Sequence, residues 1–363
     1  MNIKQRIKSA LRREKVDVIP WCMYDFLLPR GDFEREARNS GLGLCVRRPV
    51  SYESMPNVRI EEVNIAGQPL ERRYCTPIGT ITMKQKYGIG SDWNELRMDW
   101  EHGTIPWTIE HLIKNVEDYK VLEYMIKDIV IHPYPKAFLN AEKFVGNDGV
   151  VIIRTWKSPF QSLLIEYAGP NRLFIDLYKH PKEVNSVLET LEQKQDELYR
   201  IIADSPAEII MCPDNIDGEL TNPRLFEKYC LPFYNKQARL LHSKGKLFGV
   251  HMDGRLKNLA HLIAQTEIDF VEAFTPPPMG NLTIEEVKRT WGEKIVTWIN
   301  FPASVCLFGY EEVKKHGETL LKSLAPGDGF LFGITENIRY EVIRESLKAL
   351  SELIEKSTYP ISI

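Results

Sequence analysis

The chain has 363 residues, of which 43% are hydrophobic and 27% are charged, the composition of an ordinary globular protein and not of a disordered one. Its 47 basic and 50 acidic residues give a formal net charge of -3, which provides no field for nucleic acid or an anionic membrane and favours a small-molecule or protein partner. No apolar run approaches the roughly 20 residues of a transmembrane helix, and six scattered cysteines without a CxxC pair or a secretory leader indicate reduced thiols in the cytoplasm.

Seven short apolar runs predict strands, and each is followed by turn residues and then by a helical pattern. The predicted strands cover residues 18–26, 150–159, 208–218, 246–254, 269–278, 294–302 and 329–337. The clearest helical patterns cover residues 181–203, 223–244, 256–265 and 337–356. Alternation of nearly continuous apolar strands with helices indicates a parallel sheet that is covered by helices.

Seven or eight such units form either a closed barrel or an open, doubly wound sheet. An open sheet normally carries a glycine-rich phosphate loop after its first strand, and the segment WCMYDFLLPRGDF at 21–33 has none. Polar residues follow many of the strands, as they do where the carboxyl ends of barrel strands build one site. The sequence therefore predicts an α/β protein with a (β/α)8 TIM barrel, a single domain over residues 1–363.

Residues 56–95 interrupt the alternation of strands and helices. The stretch VRIEEVNIAGQPLERRYCTPIGTITMKQKY at 58–87 alternates with period two around an AGQ and a PIG turn. This pattern predicts antiparallel hairpins that are inserted near the start of the barrel. The insertion is either an edge sheet or a lid over the barrel mouth, since inserted loops often carry function.

The segment GVHMDG at 249–254 ends one predicted strand with a histidine and a carboxylate two residues apart. Residues i and i+2 of a strand point to the same face, so His251 and Asp253 are predicted to project together. Gly254 is predicted to let the chain turn after them. Alternatively, Asp253 caps the helix predicted at 256–265.

The stretch HMDGRLKNLAHLIAQTEIDFVEAFTPPPMGNLTIEEVKRTWGEKIVTWINFP at 251–302 resembles the second half of the uroporphyrinogen decarboxylase superfamily, which also contains corrinoid-dependent methyltransferases. The stretch RYCTPIGTITMKQKYG at 73–88 resembles an early hairpin of that superfamily, and HLIKNVEDYKVLEYMIKD at 111–128 resembles the helix after it. The resemblance covers most of the chain. It implies a TIM barrel with a site at its carboxyl face.

The sequence departs from two branches of that superfamily. True uroporphyrinogen decarboxylases carry an arginine-rich signature after the first strand that holds the carboxylates of a tetrapyrrole, whereas Arg30 is alone in the comparable loop here. Zinc-dependent methyltransferases carry His-x-Cys and a late cysteine, whereas Asp253 and Glu336 stand at those positions here. The resemblance therefore implies a relative of the corrinoid-dependent methyltransferases whose site lacks thiolates.

His251, Asp253 and Glu336 are the predicted catalytic residues. With Glu272 they would form an oxygen-rich site that suits either proton transfer near neutral pH or a divalent metal such as zinc. Ligation of a metal by His251, Asp253 and Glu336 is one alternative, and general acid catalysis is the other. Glu272 and Glu336 are alternatively partners in plain salt bridges with Arg154 or Lys157.

Side chains at several predicted strand ends are expected to bind the substrate. The amide of Asn300 can donate to and accept from a ring heteroatom. Asp214, Asn215 and Asp217 alternatively form an Asx turn and a cap for the helix that starts near Pro223. Cys306 has apolar neighbours and is interpreted as an ordinary buried thiol. The predicted substrate-binding residues are Tyr24, Arg154, Trp156, Asp214, Asn215, Glu272 and Asn300.

These features predict a cytoplasmic methyltransferase that moves a methyl group between a small oxygen- or nitrogen-centred substrate and the corrinoid of a separate protein. A methoxy compound, a methylamine or a pterin would suit a site without thiolates. The alternatives are a lyase that decarboxylates a small carboxylic acid and a non-catalytic protein that binds a corrinoid or a pterin. The expected partners are a small molecule and a corrinoid protein, and a homodimer is left open.

Overall fold

The computed structural model describes residues 1–65, 69–86, 107–357 and 359–361. Within these residues the strands are β1 (Trp21–Tyr24), β2 (Gly43–Arg47), β3 (Ser51–Ser54), β4 (Arg59–Val63), β5 (Leu70–Thr76), β6 (Gly79–Lys86), β7 (Trp107–Glu110), β8 (Val130–Pro133), β9 (Gly149–Arg154), β10 (Ile209–Cys212), β11 (Leu247–His251), β12 (Phe270–Phe274), β13 (Val296–Asn300) and β14 (Phe330–Ile334).

The helices of the described residues follow in chain order. They are Ile3–Leu11, Asp32–Asn39, Asp118–Asp128, Lys136–Val145, Pro159–Gln161 continued by Ser162–Tyr167, Pro170–Lys179, Pro181–Ala203, Pro223–Leu225 continued by Phe226–Cys230 and Leu231–His242, Ala260–Ile263, Ile284–Thr290, Ala303–Cys306, Tyr310–Leu324 and Tyr340–Lys356. Within the described ranges, none of the helices has the length and apolar character that a membrane crossing requires.

The chain divides into two compact units. One comprises residues 1–50, 135–155 and 203–363, and the other comprises residues 51–134 and 156–202. A single domain over residues 1–363 stays a prediction.

The first unit contains a closed barrel of eight parallel strands in the order β1-β14-β13-β12-β11-β10-β9-β2. Every residue of β1, β10, β12, β13 and β14 is buried, which explains why these strands are almost continuously apolar in sequence. Each of the seven predicted strands corresponds to a barrel strand. The predicted (β/α)8 TIM barrel is therefore confirmed.

The eighth barrel strand, β2, was not among the predicted strands. Its sequence GLCVR begins with a glycine, which weakens its β pattern. The glycine is needed because a Cβ at Gly43 would lie 2.8 Å from Ile3 Cγ2 and 2.9 Å from Ile7 Cδ1 of the N-terminal helix. Close packing of that helix on the strand favours a glycine at this position, and the glycine weakens the strand pattern in the sequence.

The helix predicted at 256–265 is much shorter in the structure. Only Ala260–Ile263 is helical, its N-cap residue is Leu259, and no side chain caps it. Asp253 therefore does not cap this helix, which leaves its carboxylate free for the contacts described below.

The second unit contains antiparallel strands. One sheet has the order β4-β5-β6-β7, and β3 pairs with β8. The predicted hairpins are confirmed for β4, β5 and β6, and antiparallel pairing continues to β7 and β8 beyond the predicted limit of 95. The AGQ turn and residues 87–95 of the predicted insertion lie outside the described residues. Whether the insertion is an edge sheet or a lid stays open.

Candidate active site

His251 and Glu272 form the central contact of the site. His251 is the last residue of β11 and pairs in register with Glu272 on the neighbouring strand β12. His251 Nδ1 lies 2.5 Å from Glu272 Oε2, and the side chain of Glu272 is fully buried. A buried carboxylate is costly unless it is paired and hydrogen-bonded, so Glu272 holds the imidazole in one orientation.

An irregularity in β12 follows Glu272 directly. The register between β12 and β13 shifts between Val271 and Phe274, and Ala273 has a φ of +61°. This left-handed conformation is unfavourable for a residue with a Cβ, and bulges of this kind re-aim side chains next to active sites. The irregularity therefore lies at the residue that contacts His251.

Tyr24 contacts the second oxygen of Glu272. Tyr24 is the last residue of β1, and its hydroxyl donates to Glu272 Oε1 over 2.6 Å. In the barrel order β14 and β13 separate β1 from β12, so this hydrogen bond crosses the interior. Burial and the charge of Glu272 raise the pKa of Tyr24 well above its ordinary value, which keeps the hydroxyl protonated as a donor.

Asp253 lies on the other side of the imidazole. His251 Nε2 is 3.4 Å from Asp253 Oδ2, and Asn215 Nδ2 donates to the same oxygen over 3.1 Å. Asn215 has a φ of +51°, a conformation that asparagine tolerates better than most residues. The side chains of His251 and Asp253 are 13% and 29% exposed whereas that of Glu272 is 0% exposed, so the contacts run from the interior to the mouth.

The two carboxylates keep His251 positively charged. Burial by itself lowers its pKa, but the charge of Glu272 and the hydrogen bonds to Asp253 and Glu272 outweigh burial and raise the pKa to about 9. Burial would raise the pKa of Asp253, and the hydrogen bond and charge of His251 reverse this and lower it. At neutral pH His251 is therefore an imidazolium, and it lies between the side chains of Glu272 and Asp253.

Glu336 belongs to the same charged cluster. It follows β14 by two residues and is partly buried. Burial and the charge of Asp253 raise its pKa, against a hydrogen bond from Asn300 and the charge of His251. Burial and the charge of Asp253 thus favour the protonated form of Glu336 more than water does.

Asn300 links three strand ends. It is fully buried at the end of β13, and its Oδ1 accepts from the Thr335 backbone N–H over 2.9 Å. Its Nδ2 donates to Thr275 Oγ1 over 3.1 Å. These contacts hold the ends of β12, β13 and β14 together behind Glu272 and Glu336, and binding of a substrate by Asn300 stays a prediction.

The sequence that carries this site matches the model of a known protein family. A protein-family model described as uroporphyrinogen decarboxylase (URO-D) matches residues 95–357, which include His251, Asp253, Glu272, Asn300 and Glu336. The chain belongs to the uroporphyrinogen decarboxylase family. No curated protein matches it in sequence.

One solved structure shares the fold of this family member. A methyltransferase from Methanosarcina mazei superimposes with a TM-score of 0.59 at 14% identity, over 98% of this chain and 99% of that chain. A protein from Listeria monocytogenes assigned as a vitamin-B12-independent methionine synthase has a TM-score of 0.37 at 16% identity, over 61% of this chain and 68% of that chain.

The other three predicted substrate-binding residues of this uroporphyrinogen decarboxylase family member are Asp214, Arg154 and Trp156. Asp214 is fully buried, where it accepts from the Tyr234 hydroxyl over 2.5 Å and from Cys212 Sγ over 3.4 Å. Arg154 is exposed at the end of β9. Trp156 belongs to the second unit, where its Nε1 donates to Glu53 Oε1 over 3.2 Å. Their roles in substrate binding stay predictions.

The alternative interpretation of this loop is confirmed for the turn at Asp217, whereas the helix cap is Asn222, which was not among the residues predicted to form it. Asp217 Oδ1 accepts from the backbone N–H of Glu219 over 2.8 Å, and Asn222 Oδ1 caps the helix that begins at Pro223. Cys306 is a buried thiol as predicted, and burial raises its pKa to about 11. Trp21, Phe274 and Trp298 are core residues.

A bound metal was one interpretation of this site. In the part of the chain that the structure describes, no three His, Cys, Asp or Glu side chains are grouped so that they could hold a metal ion. Ligation of zinc or another divalent metal by His251, Asp253 and Glu336 therefore stays a prediction.

Sequence analysis missed Arg47, the last residue of β2. Its guanidinium Cζ lies 4.4 Å from the ring centroid of Tyr24 and 4.3 Å from that of Phe26. Two consecutive arginines after an apolar run, Arg47 and Arg48, were the available signal. They could not be placed at the barrel mouth because β2 itself was not predicted.

Gly254 is required for a different reason from the predicted turn. Its φ is not positive, but a Cβ there would lie 2.6 Å from Ile216 O and 2.7 Å from Asp217 Cα. The loop after β10, which carries Asn215, therefore packs directly on this glycine.

We expect Gly254→Ala to lower the free energy of unfolding by about 1–3 kcal/mol, because backbone atoms must move to admit the methyl group. It should also lower turnover, since Asn215 would shift away from Asp253. Urea unfolding and initial rates on one preparation measure both effects. An unchanged unfolding midpoint would show that the loop has room to move.

Proposed function

We propose that the protein is a methyltransferase that moves a methyl group between a small oxygen- or nitrogen-centred substrate and a corrinoid held by a separate protein. The observation that carries the proposal is the hydrogen-bonded chain from Tyr24 through Glu272 to His251, which ends beside Asp253 at the carboxyl ends of the barrel strands. Membership of the uroporphyrinogen decarboxylase family and the fold shared with the Methanosarcina mazei methyltransferase support it.

The contacts from Tyr24 through Glu272 to His251 suit the step in which the methyl group leaves its oxygen or nitrogen. When a methyl group leaves oxygen or nitrogen, the electron pair of the broken bond stays on the heteroatom, which is a poor leaving group unless it is protonated. The His251 Nε2–H would supply that proton, and the corrinoid of the separate protein would supply the electron pair that accepts the methyl group. General acid catalysis of this kind contributes about 10²–10⁴-fold to a rate.

The long contact to Asp253 leaves the proton available. Charge-assisted N–H···O bonds are about 2.7–2.9 Å long, whereas His251 Nε2 lies 3.4 Å from Asp253 Oδ2. A substrate heteroatom that approaches Nε2 therefore competes with a weak contact. The tight contact is at Nδ1, where Glu272 holds the ring and stabilises its charge.

Decarboxylation of a small acid is the second candidate, and the family model itself favours it. In that reaction the same proton would go to the carbon that loses CO₂. The two reactions differ in product, since one releases CO₂ and the other methylates the corrinoid. We favour methyl transfer because Arg30 is the single arginine in the loop where true decarboxylases carry several.

We expect Asp253→Ala to lower kcat roughly 10- to 100-fold, because a carboxylate that helps to keep His251 protonated is lost. The free energy of unfolding should change by less than about 1 kcal/mol, since this ion pair is partly exposed. The control is Asp217→Ala, which removes a carboxylate of the neighbouring loop that only holds backbone N–H groups. It should lower stability and leave kcat nearly unchanged. The opposite pattern would show that Asp253 is structural.

A further inference from the structure

We propose that Arg47 binds an anionic group of the substrate, a carboxylate or a phosphate, on the side of the barrel mouth opposite His251 and Glu272. This inference rests on the proposed function, because it assigns the class of substrate that the same site takes. Nothing in the chemistry of methyl transfer itself requires an anion, so Arg47 would determine specificity.

Barrel topology places Arg47 across the mouth from the proton donor. Arg47 ends β2, and Tyr24 ends the adjacent strand β1. In the closed order of eight strands, β2 is four positions from β12 and β1 is four positions from β11. Arg47 therefore lies opposite Glu272, and a small substrate that reached from Arg47 to His251 would span the mouth.

The Arg47 guanidinium is held in place by two stacked rings. The Tyr24 and Phe26 rings lie 5.4 Å apart between centroids with an interplanar angle of 20°. The guanidinium Cζ lies 4.4 Å and 4.3 Å from the two centroids. These ring contacts are made at Cζ and use none of the guanidinium N–H donors, and an arginine can bind a carboxylate or phosphate with two parallel hydrogen bonds.

Arg47 lacks the counter-ion that neighbouring arginines have. Arg48 lies 3.6 Å from Asp25 Oδ2, and Arg30 lies 2.7 Å from Glu34 Oε1. No carboxylate of the described residues forms an ion pair with Arg47, although its side chain is partly buried. A partly buried cation without an anion is unfavourable, and a ligand would supply the missing charge.

The side of the mouth that contains His251 is rich in carboxyl groups, so an anionic ligand would need the positive charge of Arg47. Glu272, Asp253 and Glu336 are carboxyl groups around a single imidazolium, so that side would repel an anion. An anionic substrate would therefore be oriented with its charged group at Arg47 and its methylated heteroatom at His251. Tyr24 connects the two sides, since its ring contacts Arg47 and its hydroxyl contacts Glu272.

The test is equilibrium binding, measured by calorimetry without a corrinoid, to the full chain and to Arg47→Met, Arg47→Lys and Arg48→Met. The probes are 3-methoxybenzoate, phenyl phosphate and neutral anisole. We expect Arg47→Met to weaken binding of at least one anion about ten-fold or more, with no effect on anisole. Arg47→Lys should give an intermediate loss, because it keeps the charge but not the planar donors. Arg48→Met, whose arginine already has a carboxylate partner, should bind like the wild type.

Three results would overturn the proposal. They are failure of both anions to bind the wild-type protein at millimolar concentration, equal losses for anisole and the anions in Arg47→Met, and an equal loss in Arg48→Met. The ratio of the Kd values of 3-methoxybenzoate and phenyl phosphate shows whether the site prefers a carboxylate or a phosphate. If anions bound through Arg47 but the protein transferred no methyl group, the anion site proposed here would stand. Only the proposed function would then be contradicted.

Discussion

Replacing His251 by glutamine is expected to lower the rate of methyl transfer about 1000-fold, because the leaving heteroatom would lose its proton donor. Glutamine keeps a polar side chain at the end of β11 but cannot carry the positive charge. Substrate binding at Arg47 should survive, since Arg47 lies on the opposite side of the barrel. The loss should therefore be in kcat and not in KM.

His242→Gln is the matched control for this prediction. His242 also pairs with a carboxylate, Asp269 Oδ2 at 2.9 Å, but it lies on the surface at the end of its helix. It should lower the rate less than about two-fold, as surface substitutions usually change little. If His251→Gln retained more than a tenth of the wild-type kcat, His251 would not be the proton donor.

Replacing Glu272 by glutamine is expected to lower the rate about 100-fold at pH 8, because it lowers the pKa of His251. The charge of Glu272 raises that pKa to about 9, so the imidazolium persists at pH 8 in the wild-type protein. Without that charge, burial lowers the pKa, and most of the His251 rings would be neutral at pH 8. The descending limb of the pH–rate profile should therefore move to lower pH.

Tyr24→Phe separates charge from hydrogen bonding at Glu272. It removes the 2.6 Å hydrogen bond and leaves the carboxylate in place, so the pH–rate profile should move much less than in Glu272→Gln. Nitrogen-15 NMR of labelled histidine gives the His251 titration without any assay of turnover. Equal titration of His251 in the wild-type protein and in Glu272→Gln would contradict this account of the site.

The barrel could be predicted because its strands are buried on both faces. Continuous apolar runs such as KLFGV and KIVTW record that burial directly, and polar residues after them mark the carboxyl ends. β2 could not be predicted because its signal depends on contacts with Ile3 and Ile7 that are distant in sequence. Because β2 was not predicted, Arg47 could not be assigned to the end of a barrel strand.

The site could be predicted only as a set of separate residues. Period two places His251 and Asp253 on one face, but the partner of His251 at Nδ1 follows from the register between β11 and β12. Contact between Tyr24 and Glu272 further requires closure of the barrel, because the two residues lie 248 positions apart in sequence. Strand order and register, and not local pattern, decide which polar ends meet.

The most direct test of the central claim is an assay of the purified protein with reduced cobalamin and a panel of methyl donors that contains 3-methoxybenzoate, methylamines and a methylated pterin. Absorbance follows the conversion of reduced cobalamin to methylcobalamin. We predict methylcobalamin formation from at least one oxygen- or nitrogen-bound methyl group, with loss of the reaction in His251→Gln. Release of CO₂ from a small carboxylic acid without methylcobalamin formation would contradict the proposal and identify the protein as a decarboxylase.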